Sequence, residues 1–208
     1  MVSVECRNLT KSFGYRCVLE GVCLRVEQGE TLVVTGRNGA GKTTLLRLIA
    51  GLSKPTRGEV VIAVNGQPLD SEEVHRHVGF VTPDLSLYAE LTALENLAFF
   101  AALRGLPTQR HDARCLHEYL GAVGLLERAD DLLRDFSSGL KQRLKLAFAV
   151  LHRPAVLLLD EPTSNLDAAG VEIVERLIRD QKQRGVVILA TNNAEELKHG
   201  DQILRLSP

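Results

Sequence analysis

Residues 36–44 read Gly36-Arg37-Asn38-Gly39-Ala40-Gly41-Lys42-Thr43-Thr44 and satisfy the pattern GxxxxGK[ST]. Glycines at 36, 39 and 41 let a backbone turn so that successive N–H groups converge on phosphate oxygens, and a helix starting near Lys42 adds the partial positive charge of its N-terminus. Lys42 is then placed to neutralise the β and γ phosphates of a nucleoside triphosphate. The Thr43 hydroxyl is a hard oxygen suited to Mg2+. An ordinary glycine-rich turn has no need of a lysine and two threonines at this point. A second chemical feature is Val156-Leu157-Leu158-Leu159-Asp160-Glu161, an apolar run that stops abruptly at two acids. Asp160 can hold Mg2+ through water. Glu161, pointing elsewhere, can polarise a water for attack on the γ-phosphate. Taken alone, such an ending could equally begin a capping turn; a phosphate loop in the same chain favours the catalytic reading.

These side chains need strands and helices to carry them. Thr31 to Thr35 is a short, almost continuous apolar run that leads into the glycine loop, and a helix is expected from about Lys42 to Ala50. Val2 to Leu9 and Val18 to Val26 have strand character, with a turn at Glu27-Gln28-Gly29-Glu30, which predicts an antiparallel layer. Further strands are expected at Val60–Val64, Val78–Val81, Ala155–Leu159, Val186–Ala190 and Gln202–Leu206, the later ones alternating with helical patterns as in a parallel α/β core. Between Thr92 and His152 the apolar residues take helical spacing: Leu94, Leu97, Ala98 and Ala101, then Leu116, Leu120 and Val123, then Leu144, Ala147, Phe148 and Leu151. We therefore expect one domain over 1–208, with a core lobe of 1–84 and 153–208 and a helical insertion at about 85–152.

At 208 residues and 45% hydrophobic content, the chain is long enough for a sizeable core. The 25 basic and 26 acidic side chains leave a formal charge of -1, with no basic face or tail to mark a nucleic-acid partner, and none is expected. Cys6, Cys17, Cys23 and Cys115 show neither CxxC pairing nor zinc-ligand spacing and read as isolated thiols of a reducing compartment. The first residues form no leader, and no apolar run approaches the roughly 18 residues of a membrane helix.

The order of the phosphate loop, a helical segment, Phe136-Ser137-Ser138-Gly139-Leu140-Lys141-Gln142-Arg143, Leu159-Asp160-Glu161-Pro162-Thr163 and Ser164-Asn165-Leu166-Asp167 resembles an ABC transporter nucleotide-binding subunit over nearly the whole chain. The likeness implies a P-loop NTPase (RecA-like) core with an antiparallel β layer and an inserted helical subdomain. It implies ATP and Mg2+ as ligands, and a second copy or a paralogue that closes on ATP as a sandwich dimer. In such a dimer Ser137, Ser138 and Gly139 meet the γ-phosphate held by the opposite protomer, although Ser138 stands where a glycine is usual and Leu140 where a glutamine is usual. Without the family, Ser137-Ser138 is simply a helix N-cap. The resemblance also makes Asp167 an acid that communicates across the dimer, and Phe13 the aromatic that stacks on adenine, with Tyr15 the alternate.

Two positions depart from that pattern. In Thr82-Pro83-Asp84, Pro83 replaces the glutamine expected to touch Mg2+ and signal to the membrane partner, leaving Asp84 as the carboxylate within reach of the metal. In Ala190-Thr191-Asn192, Asn192 replaces a histidine; it can donate a hydrogen bond to the γ-phosphate but carries no proton or charge. Lys42, Glu161 and Asn192 thus form the expected catalytic set, and slow but real hydrolysis is the outcome to expect. The resemblance implies a motor on the cytoplasmic face of a membrane, serving a separate integral permease docked near the Pro83 loop. The compact architecture and the segment 91–97 lean toward small exporter-type subunits, including the haem-exporter subunit of cytochrome c maturation. The alternative is an ATP-gated dimerisation module with slow or no hydrolysis. A ribosome- or DNA-directed protein is disfavoured by the lack of a basic extension or coiled-coil insertion.

Overall fold

The computed structural model describes residues 1–107 and 112–207, so the expected domain end at 208 lies outside the described residues. β1 (Val2–Phe13) and β2 (Arg16–Glu27) form a long antiparallel hairpin, and β4 (Arg57–Val64) pairs with the other side of β1, followed by the short β5 (Gln67–Pro68). Both hairpin strands run further than their alternation foretold. The register slips after Cys6 and again around Leu9, where Asn8 adopts a positive φ of 48°. Such bulges shift which side chains face inward, so the period-2 signal stops while pairing continues.

β3 (Thr31–Thr35) belongs to a second, five-stranded sheet in the order β6 (Val78–Val81), β7 (Val156–Asp160), β8 (Val186–Thr191), β3 and β9 (Gln202–Arg205). Every pairing in it is parallel. β7 and β8 are buried along their whole length, because both faces of the sheet are covered, and this is why they read as uninterrupted apolar runs. The alternation survives in where the side chains go. Val156, Leu158, Val186, Ile188 and Val34 pack with the antiparallel layer and α1 (Lys42–Ile49), whereas Leu157, Leu159, Val187, Leu189 and Val33 pack under the helices on the other face.

Those helices are α3 (Ala93–Leu103), α4 (Ala113–Ala122), α5 (Ser138–Val150) and α6 (Ala168–Lys182). Each begins at a polar residue whose side chain accepts from an orphan backbone N–H: Thr92, Asp112, Ser137 and Asp167 respectively. The three apolar series of the sequence lie on α3, on α4 and just beyond it, and on α5 and its C-cap Leu151. α2 (Ser71–His77) has no buried residue, so it left no apolar periodicity; its only trace was the capping box of Asp70 and Glu73. The mixed α/β class with antiparallel and parallel sheets is as expected. Among the described residues no helix is long and apolar enough to cross a membrane. The four cysteines are free, and burial pushes the Cys6 thiol up to about 12, helped by the neighbouring Cys23 and Glu5.

Asp201 closes the far edge of the parallel sheet. It accepts from the Thr31 N–H at 2.7 Å and from Lys182 Nζ at 2.7 and 3.0 Å, joining β3, β9 and the end of α6. Burial pushes its carboxyl up, but Lys182 and the Thr31 N–H outweigh burial and hold it below the ordinary value of 3.8. A depressed carboxyl stabilises the fold above its unfolded pKa and loses that contribution as pH falls through the native value. Asp201→Asn is therefore expected to lose about 1 kcal/mol near neutral pH, discounted for the partial exposure of both side chains. The difference should vanish as urea titrations are repeated from about pH 5 down to about pH 2.

Candidate functional site

The parallel order places β8 between β3, which leads into the glycine loop, and β7, which ends in the two acids. All three carboxyl ends open on one edge of the sheet, the edge where open α/β folds bind ligands. α1 starts there without a side-chain cap and with no acid in its first turn, so its N–H groups and dipole are uncompensated. Gly41 occupies the N-cap at φ 98°, and a Cβ on it would lie 2.8 Å from Leu19 Cδ2. Only glycine serves both demands, the left-handed backbone and the close approach of the β2 hairpin.

Lys42 is 7% exposed. Its Nζ donates to the Gly36 carbonyl at 3.0 Å and to Asn192 Oδ1 at 2.6 Å, and lies 3.6 Å from Glu161 Oε1. Asn192 follows the central strand β8; its side-chain amide donates to Asn38 Oδ1 and its backbone N–H to Glu161 Oε2 at 3.3 Å. One asparagine thus ties the loop, the lysine and the second acid together. Asp160 is 1% exposed and accepts from the Thr43 hydroxyl at 2.6 Å. Burial raises its pKa, reinforced by Glu161 and opposed by Thr43, Lys42 and Arg47. Glu161 has a φ of +48°, and its N–H donates to the Ala190 carbonyl at 2.9 Å. A non-glycine residue held there costs of order 1–3 kcal/mol, and the turn re-aims its carboxylate away from that of Asp160.

The loop residues Asn38, Gly39, Gly41, Lys42, Thr43 and Thr44, together with Asp160 and Glu161, line a cavity of about 360 Å³. The half-buried Thr43 hydroxyl and the buried Asp160 carboxylate match the hard-donor chemistry of Mg2+, and the uncapped α1 terminus with Lys42 matches a polyphosphate, so both ligands fit the residues present. Among the described residues no cluster of three or more His, Cys, Asp or Glu encloses a metal by itself.

Other expected site residues lie elsewhere. The Asp84 carboxylate accepts from Arg47 at 2.5 Å and from the Thr82 hydroxyl, and its neighbour Pro83 forms part of the cavity wall. Phe13 sits half-exposed at the end of the β1–β2 hairpin under the Lys11 ammonium, 4.9 Å from the ring centroid, and Tyr15 is fully exposed in the turn. Arg16 and Val18 of the same hairpin line the phosphate cavity, and no sequence signal beyond their nearness to Phe13 marked them. Ser137 caps α5 through the Leu140 N–H, and Gly139 backs onto the Asn165 carbonyl. Ser138 faces a second cavity of about 430 Å³, which shares Pro83 and Glu161 with the first. Asp167 caps α6 and accepts from Arg143 at 2.5 Å; the Gly170 N–H and then Arg143 hold its carboxyl below the usual range.

A family model described as ABC transporter matches residues 19–164. The chain is similar to the bacitracin transport ATP-binding protein of Bacillus licheniformis, 37% identical over 191 residues, covering 91% of this chain and 61% of that protein's length. It is also similar to the cytochrome c biogenesis ATP-binding export protein of Vibrio cholerae, 34% identical and covering 92% and 91%. Among solved structures it is similar to an ATP-binding cassette in a dimeric post-hydrolysis state bound to ADP and Pi, with TM-score 0.86, 28% identity and coverage of 98% and 94%. Import and export names both occur among relatives of comparable identity.

Gly41→Ala is expected to destabilise the protein by about 2 kcal/mol or more, from the left-handed backbone and the clash with β2. It should also abolish polyphosphate binding. Urea unfolding and nucleotide titration measure the two effects.

Proposed function

The chain belongs to the ABC transporter family as an ATP-binding subunit, and from that premise we propose that it hydrolyses ATP to drive a separate membrane-spanning partner, in a closed dimer with a second copy or a paralogue. The observation that carries this reading is the Lys42 ammonium held between the Gly36 carbonyl, Asn192 and Glu161 at an uncapped helix terminus. Residues 36–44 bind the phosphates through backbone N–H groups and Lys42. Thr43 and Asp160 are the residues that would hold Mg2+, which would neutralise charge on the phosphate oxygens. Glu161 takes a proton from water as the water oxygen bonds to the γ-phosphorus. The bond from that phosphorus to the β–γ bridging oxygen breaks, and the electron pair leaves with ADP. Asn192 donates a hydrogen bond toward the γ-phosphate and keeps Glu161 and Lys42 in register.

Phe13, with Tyr15 the alternate, stacks on adenine at the exposed hairpin end. Ser137, Ser138 and Gly139 complete the site of the opposite protomer, and Asp167, beside Gly139 through Asn165, reports closure across the interface. We read 1–84 with 153–208 as the core lobe and 85–152 as the helical subdomain. The membrane partner is assigned to the aromatic face formed by Tyr88, Phe99, Phe100 and Phe148, beside a groove of about 630 Å³ where Leu103 is 70% exposed. The chain then sits on the cytoplasmic side of the membrane, and export is the favoured direction.

Single-turnover phosphate release with Mg-ATP tests the reading. Wild type is expected to release phosphate, and Glu161→Gln to bind ATP with affinity within about threefold while losing at least about 100-fold in rate. A wild-type rate no greater than that of Glu161→Gln would leave the ATP-gated dimerisation module instead, a reading favoured by the uncharged Asn192.

A further inference from the structure

Pro83 has no amide hydrogen and no polar side chain, yet it forms part of the wall between the phosphate cavity and the cavity beside Ser138. The polar handles of its segment include the Thr82 and Pro83 carbonyls and the Asp84 carboxylate; one cation from α5 takes both carbonyls and one from α1 takes the carboxylate. Lys145 of α5 donates through Nζ to the Pro83 carbonyl at 2.8 Å and to the Thr82 carbonyl at 3.5 Å. Arg47 of α1 pairs with Asp84 at 2.5 Å. The segment itself is a closed turn, with the Thr82 hydroxyl on Asp84 and the Leu85 N–H donating to the Thr82 carbonyl at 3.1 Å. Close approach makes the reach of Lys145 possible: the Ala149 carbonyl of α5 occupies the place a Cβ would take on Gly79 of β6, and Lys145 lies one turn before it.

We propose that Lys145 and Arg47 are positioning residues that strap the 82–84 segment between α5 and α1, so that movement of the helix beginning at Ser138 is transmitted through Pro83 to the wall of the phosphate cavity. This rests on the reading of the site as an ATPase. The strap is made through backbone carbonyls and an ion pair, because proline at 83 offers no polar side chain of its own. Stability alone does not explain it. The Arg47–Asp84 pair is substantially exposed and worth little to the fold, and burial holds the Lys145 pKa down, with Asp84 opposing.

The test compares wild type with Lys145→Met, Lys145→Arg, Asp84→Asn and the Lys145→Met/Asp84→Asn double variant. It reads kcat and KM for ATP together with hydrogen exchange of the 82–87 peptide, with and without Mg-ATP. Lys145→Met is expected to lower kcat about tenfold with KM within about twofold, and Lys145→Arg to recover at least about half of the rate. The double variant should be no slower than Lys145→Met, because both changes cut one strap. Exchange over 82–87 should rise in Lys145→Met and lose its response to Mg-ATP. An unchanged kcat, multiplicative losses, or a loss confined to thermal stability would overturn the proposal. If wild type itself released no phosphate, the functional reading would fall, whereas the strap would still be decided by exchange: faster in Lys145→Met supports it, equal rates overturn it.

Discussion

A lysine ammonium placed at the N-terminus of a helix adds positive charge to positive dipole, and burying that combination is tolerable only if acceptors surround it. Lys42 meets this requirement with the Gly36 carbonyl, the Asn192 side chain and the Glu161 carboxylate, each from a different stretch of chain. An uncompensated charge at 7% exposure would cost several kcal/mol, so these acceptors hold the loop in shape. The rest of the architecture follows from having to deliver those three acceptors to one point.

The parallel sheet does the delivering. With β8 between β3 and β7, the residue that follows β8 stands between the glycine loop and the acids, so Asn192 can touch Lys42, Asn38 and Glu161 at once. Rigidity comes from burial on both faces: alternate residues of β3, β7 and β8 divide between two cores, one under the antiparallel layer and α1, the other under α3 to α6. A strand clamped in this way cannot shift by one residue without exchanging its two faces. That precision allows Asp160 to be buried against Thr43 while the left-handed Glu161 turns out of the same strand toward both cavities.

α5 is the second organising element. Its first turn lies against the Asn165 carbonyl through Gly139, Gln142 donates to the Pro162 carbonyl at 3.0 Å, and Arg143 pairs with Asp167. Two residues after Arg143, Lys145 holds the carbonyls beyond β6. The helix is therefore bonded on one side to the segment that follows Glu161 and on the other to the segment that carries Pro83. The two cavities share those two residues, so a shift of α5 bears on both.

Much of this was legible in the sequence because it is local. The spacing of Gly36 to Thr44, the apolar run ending at Asp160-Glu161 and the cap at Ser137 each act over a few residues, and the α/β class follows from apolar periods that backbone geometry enforces. What the sequence concealed depends on partners far apart in the chain. Asp84 read as a carboxylate free to reach a metal, but Arg47, 37 residues away, claims it. Arg16 and Val18 enter the cavity wall only because the hairpin folds over Gly41, and the pairing of Asn192 with Lys42 spans 150 residues. The sequence by itself determined which groups are able to bind phosphate and move a proton, since that is a property of residue type and short spacing. Only the tertiary structure decided which of them meet and which are already engaged, because strand order and helix packing set distances that no local pattern encodes.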